Sequence, residues 1–127
     1  MAFVELLAKT NYSFLEGASF PEAMVARAKE EGYQALGVLD TWGFYGAPRA
    51  HVAAKKLNLP LIIGTEVPLV GDHRAYLIPK NREGYGDLCE LLTALHHHRT
   101  DTRLPPPPLD WNRVWDHCRH CYVLLPC

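Results

Sequence analysis

The sequence lacks long apolar segments and any excess of one charge. No apolar run approaches the roughly 20 residues of a membrane-spanning helix, so no membrane span is expected. The opening residues include Glu5 and no basic residue, which argues against a secretory signal peptide. The chain has 13 Lys and Arg against 14 Asp and Glu. This balance argues against a strongly electrostatic partner such as nucleic acid or an anionic membrane, although a local basic patch is compatible with it.

Cysteine is also scarce, with four residues in a chain of 127. In the absence of a secretory signal we expect a cytoplasmic, reducing setting, where cysteines are thiols or metal ligands rather than disulfides. Hydrophobic residues make up 48% of the chain and charged residues 21%, as in ordinary globular proteins. The length is that of one domain and is sufficient to bury a core. We therefore predict a single domain over residues 1–127.

Short apolar runs alternate with helical patterns along the chain. The apolar runs predict strands over residues 3–8, 35–39, 59–64, 74–78 and 122–125. Helices are predicted to begin at Ser19, with Glu22 completing a capping box, and then at Pro48, Tyr85 and Trp111. This alternation predicts an α/β fold with about five mostly parallel strands and flanking helices. The proline run within residues 99–109 predicts a stiff connector inside the domain.

Two segments resemble a known family. Residues 81–91 read Asn-Arg-Glu-Gly-Tyr-Gly-Asp-Leu-Cys-Glu-Leu, and they closely resemble Asn-Arg-Glu-Gly-Tyr-x-Asn-Leu-Cys-x-Leu of error-prone bacterial DNA polymerase III alpha subunits. Residues 4–19 resemble the opening of the PHP (polymerase and histidinol phosphatase) domain at the N-terminus of those subunits. The resemblance spans nearly the whole chain but only about the first half of the family's domain. It implies a partial PHP-type (β/α) barrel that lacks the C-terminal part, with no polymerase domain.

The resemblance also implies a vestigial metal site. Active members carry His-x-His in the opening segment, and Leu7 and Lys9 stand at those two positions. Leucine has no lone pair to donate, and the lysine ammonium repels a cation. The family's Asp-His pair after the next strand corresponds to Asp40 and Thr41, so the carboxylate is kept and the imidazole is lost.

Two further positions complete the comparison with the family's ligands. Glu66 matches the family's Gly-x-Glu, whose carboxylate bridges metals, whereas Arg74 stands where many active members have another His. His73 lies next to Arg74, and we expect it to be an exposed turn residue, because a shift of one residue along a strand reverses the side chain. Cys127 is a weak candidate for a later ligand. Asp40 and Glu66 are therefore the two metal ligands that the resemblance retains.

A separate candidate lies near the C-terminus, where Cys118 and Cys121 form a Cys-x-x-Cys pair. Structural zinc takes four ligands, commonly as two such pairs, and only one pair is present here. The histidines at residues 96–98 are upstream of the proline connector, at a helix end where they also favour the helix dipole. A small zinc-binding module built on the two cysteines is thus an alternative function.

The sequence as a whole favours a non-catalytic PHP-like scaffold or interaction module in a DNA replication or repair setting, with no cofactor. An unclosed barrel exposes strand edges and an apolar face, so we expect self-association or docking on a polymerase or repair protein. The enzyme alternative is a metal-dependent phosphoesterase with a reduced site at Asp40 and Glu66, aided by His51, His73 or a neighbouring subunit, and holding manganese or zinc. Nucleic acid is a further possible partner through the aromatic residues at 42–45, but the net charge does not support it.

Overall fold

The computed structural model describes residues 3–13, 17–97, 99, 101 and 104–126. Within these ranges the elements follow in the order β1 (Val4–Ala8), α1 (Pro21–Glu30), β2 (Ala35–Thr41), α2 (Ala47–Leu57), β3 (Leu61–Leu69), β4 (His73–Pro79), α3 (Arg82–His96), α4 (Trp111–His117) and β5 (Cys121–Leu124). The strands form a five-stranded sheet in the order β1-β2-β3-β4-β5. The predicted α/β fold of about five strands with flanking helices is therefore confirmed.

The strands are mostly parallel, and β4 is the strand that runs in the opposite direction. β1 pairs with β2 in parallel, and β4 pairs with β5 antiparallel. Residues 70–72 alone join β3 to β4, whereas a parallel crossover needs about a dozen residues or more. Gly71 and Asp72 both have positive φ angles, 83° and 59°, as is common in tight hairpin turns. None of the described helices is long and apolar enough to cross a membrane.

The chain divides into two compact units, an N-terminal unit of residues 1–65 and a C-terminal unit of residues 66–127. The core of the N-terminal unit is formed by α1, α2, β2 and the segment after α2. Its buried members are Val25, Ala28, Leu36, Val38, Ala50, Ala54 and Leu59. The alanines are small, so the two helices can pack closely. Gly32, which follows the C-cap residue Glu31, ends α1 with a φ of 78°, a backbone conformation that glycine adopts readily.

The predicted capping box of α1 is wrong. Phe20, not Ser19, occupies the N-cap position, and no described side chain caps the helix. Pro21 explains the difference, because proline fits the first helical turn without a backbone donor and so leaves fewer N–H groups to cap. The Ser19 carbonyl instead accepts a hydrogen bond from Asn11 N at 2.9 Å. Glu22, the expected partner of Ser19, contacts Arg49.

The C-terminal unit contains the segment that most resembles the polymerase family. Asn81 caps α3, because its side chain accepts a hydrogen bond from Gly84 N at 2.9 Å. The apolar stripe of this helix is buried at Leu88, Leu91, Leu92 and Leu95. The connector of residues 99–109 lies partly outside the described residues. Its last residue, Leu109, forms a parallel bridge with Leu69.

Gly84 and Gly86 of α3 form a matched pair for a stability test. A Cβ at Gly84 would lie 2.2 Å from the carbonyl oxygen of His120, whereas a Cβ at Gly86 would meet nothing within 4 Å. We expect Gly84→Ala to lower the free energy of unfolding by about 2–3 kcal/mol. Gly86→Ala should raise it by up to about 1 kcal/mol through helix propensity. Urea denaturation measures both, and equal effects would contradict the close approach at Gly84.

Candidate functional site

Asp40 lies near the carboxyl end of β2 and is 1% exposed. Its Oδ1 accepts hydrogen bonds from Thr10 N at 2.8 Å, Thr10 Oγ1 at 2.9 Å and Ser13 Oγ at 2.7 Å. Its Oδ2 accepts one from Gly46 N at 2.9 Å and also lies 2.9 Å from Thr10 Oγ1. A carboxylate has about four lone-pair positions. These four described donors therefore occupy the carboxylate with protein groups.

The donors around Asp40 come from separate parts of the N-terminal unit. Thr10 and Ser13 follow β1, and Gly46 precedes α2. Gly46 fits because it lacks a side chain, since a Cβ there would lie 2.7 Å from Asp40 Oδ2 and 2.5 Å from Thr10 Cγ2. Ser13 Oγ also accepts a hydrogen bond from Thr41 N at 2.9 Å. Asp40 thus fixes the loop after β1 against β2 and the start of α2.

Lys9 and Thr41, which stand where the family resemblance expects histidines, lie close together in the structure. The Lys9 ammonium donates to Thr41 Oγ1 at 2.8 Å and approaches the Leu39 carbonyl oxygen at 3.5 Å. Lys9 is half-buried, so its positive charge is only partly screened by solvent. Leu7 lies on β1 and is exposed. A fixed ammonium at this place disfavours a bound metal cation there.

In the C-terminal unit, Glu66 is paired with Arg74. Arg74 Nη1 lies 3.3 Å from Glu66 Oε1, with side-chain exposures of 54% for Arg74 and 6% for Glu66. The guanidinium also lies over the ring of Tyr76, 5.9 Å from its centroid. His73 is exposed, as expected, but it is the first residue of β4 and not the turn residue that the sequence predicts. The carboxylate that the sequence assigns to metal binding is therefore neutralised by an arginine.

The Cys-x-x-Cys pair forms a buried turn. Cys121 N donates to the Cys118 carbonyl oxygen at 3.2 Å, and the Cys121 thiol lies 3.7 Å from the Gly84 carbonyl oxygen. Burial raises the pKa of Cys118 to about 12, and burial also raises the pKa of Cys121. Metal binding and redox exchange both require thiolates, which these shifts disfavour near neutral pH.

Neighbouring histidines of the C-terminal unit have other contacts. His120 Nε2 lies 3.4 Å from Glu83 Oε1, and His117 Nδ1 lies 3.0 Å from the Arg113 carbonyl oxygen. Among the described residues, no group of three or more His, Cys, Asp or Glu side chains is arranged to hold a metal ion. His98 and Cys127, two further candidates from the sequence, lie outside the described residues.

Comparison with known families identifies the domain. The PHP domain family matches residues 5–127. The chain belongs to the PHP domain family. This PHP domain is similar to the error-prone DNA polymerase of Anaeromyxobacter dehalogenans (strain 2CP-C), with 44% identity over 109 residues, which are 82% of this chain and 10% of the polymerase. The error-prone DNA polymerase of Bordetella parapertussis is 47% identical over 96 residues, 72% of this chain and 9% of that protein. The chain thus spans about a tenth of these relatives' length.

Solved structures share the fold of this PHP domain. An amidohydrolase from Chromobacterium violaceum superposes with a TM-score of 0.59 at 22% identity, over 74% of this chain and 33% of its own. A putative metal-dependent phosphoesterase from Bifidobacterium adolescentis superposes with a TM-score of 0.56 at 17% identity, over 93% of this chain and 43% of its own. The predicted partial PHP-type barrel is confirmed, because most of this chain corresponds to less than half of each neighbour.

The site residues that sequence reasoning missed are Thr10, Ser13 and Gly46. Each supplies a donor to Asp40. A Thr and a Ser placed just after a predicted strand are a weak signal, because hydroxyl residues are common in loops. The glycine two residues before Pro48 is a similarly common feature of helix starts. The convergence of all three on one carboxylate is visible only in the folded chain.

The buried thiols lead to a prediction about alkylation. At pH 8 we expect Cys118 and Cys121 to react with iodoacetamide at least about 100-fold more slowly than in the unfolded chain, because a raised pKa reduces the thiolate fraction and burial blocks access. Cys89 is half-buried and serves as the internal comparison. Peptide mass mapping over time measures each rate. Native rates for Cys118 and Cys121 that match the unfolded ones would contradict the buried pair.

Proposed function

We propose that this chain is a non-catalytic PHP domain that acts as a scaffold or interaction module in DNA replication or repair and associates with itself. The observation that carries the proposal is that both retained carboxylates are already bonded within the protein. Asp40 has its four donors, and Glu66 has Arg74. A metal ion at either carboxylate would have to displace these groups. The fold would then lose the stability that their bonds contribute.

The charges at the replaced positions support the same proposal. Lys9 and Arg74 are cations at positions where the family resemblance expects neutral imidazoles. A multinuclear metal centre needs several convergent anionic or neutral ligands, and an adjacent fixed cation opposes each ion electrostatically. The arrangement therefore favours a site in which the positive charge comes from Lys9 and Arg74 and not from metal ions.

The DNA setting comes from the relatives. Several curated relatives are error-prone DNA polymerases, and the chain matches about a tenth of their length. We take the polymerase or repair setting from them and assign no polymerase activity to the chain. Within that setting, a domain without a metal centre would act by binding other proteins. We therefore propose two partners, a polymerase or repair protein and a second copy of the chain.

Self-association is supported by the exposed side chains of β1. This strand lies at one end of the strand order, and Phe3, Val4, Leu6 and Leu7 at or next to it are all exposed. Glu5 is the one charged residue of the strand, and its side chain accepts a hydrogen bond from Leu7 N at 3.1 Å. An apolar edge with few charges is a template for pairing with another strand. We therefore propose that two copies pair through β1.

Metal content and phosphodiesterase activity test the non-catalytic proposal. Protein purified without a histidine tag should contain no stoichiometric manganese, iron or zinc, and should not hydrolyse bis(p-nitrophenyl) phosphate when these ions are added. Two or three ions per chain, with hydrolysis that Glu66→Gln abolishes, would instead support the phosphoesterase alternative. One zinc that is lost in the Cys118→Ser, Cys121→Ser variant would support the zinc module.

Two valines of nearly equal exposure test the β1 edge. Val4 on β1 is 39% exposed and Val70 in the turn before β4 is 40% exposed. We expect Val4→Lys to weaken the dimer about tenfold or more, because a charge on an edge strand opposes strand pairing. Val70→Lys should leave the dimer unchanged. Analytical ultracentrifugation over a concentration series measures both, and a wild-type chain that stays monomeric throughout would refute self-association.

A further inference from the structure

A groove in the N-terminal unit lies along α2, beside the first turn of α1. Its volume is ≈ 590 Å³, and its lining includes Glu22, Pro48, Arg49, Val52, Lys56 and Leu57. Val52 is 55% exposed, and Leu57 is also exposed. We refer to this surface as the α2 groove. It presents aliphatic side chains to solvent in a concave setting, which is the usual form of a site for apolar side chains of a partner.

The helix that forms the α2 groove is basic. Within Ala47–Leu57, Arg49, His51, Lys55 and Lys56 are exposed, and the helix contains no Asp or Glu. The whole chain has a net charge of −1, so this helix is a local exception. Lys55 and Lys56 lie in its last turn, next to the exposed Leu57. The groove lining therefore combines aliphatic side chains with Arg49 and Lys56, and Lys55 lies next to Lys56 in the same turn.

Arg49 is held in place at one end of the α2 groove. Its Nη1 donates to Tyr12 Oη at 2.8 Å, and its Nε donates to Glu22. The guanidinium lies over the rings of Phe20 and Tyr12, 5.6 Å and 6.0 Å from their centroids. A backbone hydrogen bond at Glu22, followed by the Arg49 contact, lowers the pKa of Glu22, so its carboxylate stays ionised beside the arginine. This end of the groove is therefore a preformed, charge-balanced wall.

We propose that the α2 groove binds an acidic amphipathic helix of a partner protein. Apolar residues spaced three and four apart on such a helix fit against Val52 and Leu57. Acidic residues on its flank meet the ammonium groups of Lys55 and Lys56, and this charge complementarity speeds association and selects against basic partners. The inference rests on the proposed role as an interaction module, and it adds the surface and the chemistry of the partner.

Single-stranded nucleic acid is a weaker fit to the same charges. Base binding without sequence preference relies on open aromatic faces beside basic residues. The two exposed rings next to the groove, Tyr12 and Phe20, already stack with Arg49. The uncharged residues of the groove lining, Pro48, Val52, Ala53 and Leu57, are all aliphatic, which suits leucine-like residues better than bases. The observations therefore favour a peptide, and nucleic acid becomes an outcome of the test.

The test uses a display library of helix-forming peptides of about 16 residues, long enough for a stable turn pattern on binding. The library is selected on the full chain. We expect the recovered peptides to be rich in Glu or Asp beside apolar residues at helical spacing. A fluorescein-labelled recovered peptide is then titrated with wild-type and variant proteins by fluorescence anisotropy, with a labelled oligothymidylate titrated in parallel.

Matched variants locate the binding. Lys56→Glu and Val52→Asp should each weaken peptide binding by about tenfold or more. Lys29→Glu on α1 and Val70→Asp in the turn before β4 make the same changes at exposed positions outside the groove, and they should alter binding less than about twofold. Circular dichroism checks that each variant is folded. Val4→Lys should also leave peptide binding unchanged, which separates this surface from the β1 edge.

Three results would overturn the inference. They are recovery of peptides without acidic character, peptide binding that Lys56→Glu leaves intact, and oligothymidylate binding that is tighter than peptide binding and lost in Lys56→Glu. The outcome is separable from that of the proposed function. A metal-free, inactive chain that fails to bind acidic peptides contradicts the groove alone, and an active phosphoesterase that binds them contradicts the non-catalytic proposal alone.

Discussion

The buried carboxylate of Asp40 is the interaction on which the N-terminal unit depends. A buried charge is very unfavourable unless hydrogen bonds replace the water that it loses. Here Thr10, Ser13 and Gly46 supply those bonds from two different loops. The same bonds fix the chain after β1 and the entry to α2, so one carboxylate orders three segments.

On our proposal that the domain is non-catalytic, this structural role accounts for a PHP domain that persists without the family's ligand set. At both retained acids the protein supplies its own positive or donor groups, with backbone and hydroxyl donors at Asp40 and a guanidinium at Glu66. Lys9 likewise places a positively charged side chain of the protein beside Thr41. The negative charge that these two carboxylates would offer to a metal ion is thus already balanced by groups of the protein. On the same proposal, the domain acts through its surface, with the apolar edge at β1 and the α2 groove.

Much of the fold is predictable from the sequence, because the strands and the buried stripe of α3 carry strong periodic signals. The start of α1 is not predictable in the same way, because with Pro21 in the first turn the N-cap residue is Phe20 and not Ser19. The resemblance to the PHP family gave the positions of Asp40 and Glu66 but not their bonds. Those bonds join residues distant in sequence, such as Thr10 and Asp40, and hydroxyl and backbone donors have no sequence pattern that marks their partner.

The most direct test of the account is the unfolding free energy of Asp40→Asn, compared with Asp72→Asn at an exposed turn and measured with and without Mn²⁺. The amide places donors against donors at Asp40, so we expect a loss of about 3 kcal/mol there and almost none at Asp72, with no stabilisation of the wild-type chain by Mn²⁺. Equal stability of the two variants, together with strong stabilisation of the wild type by Mn²⁺, would contradict the account.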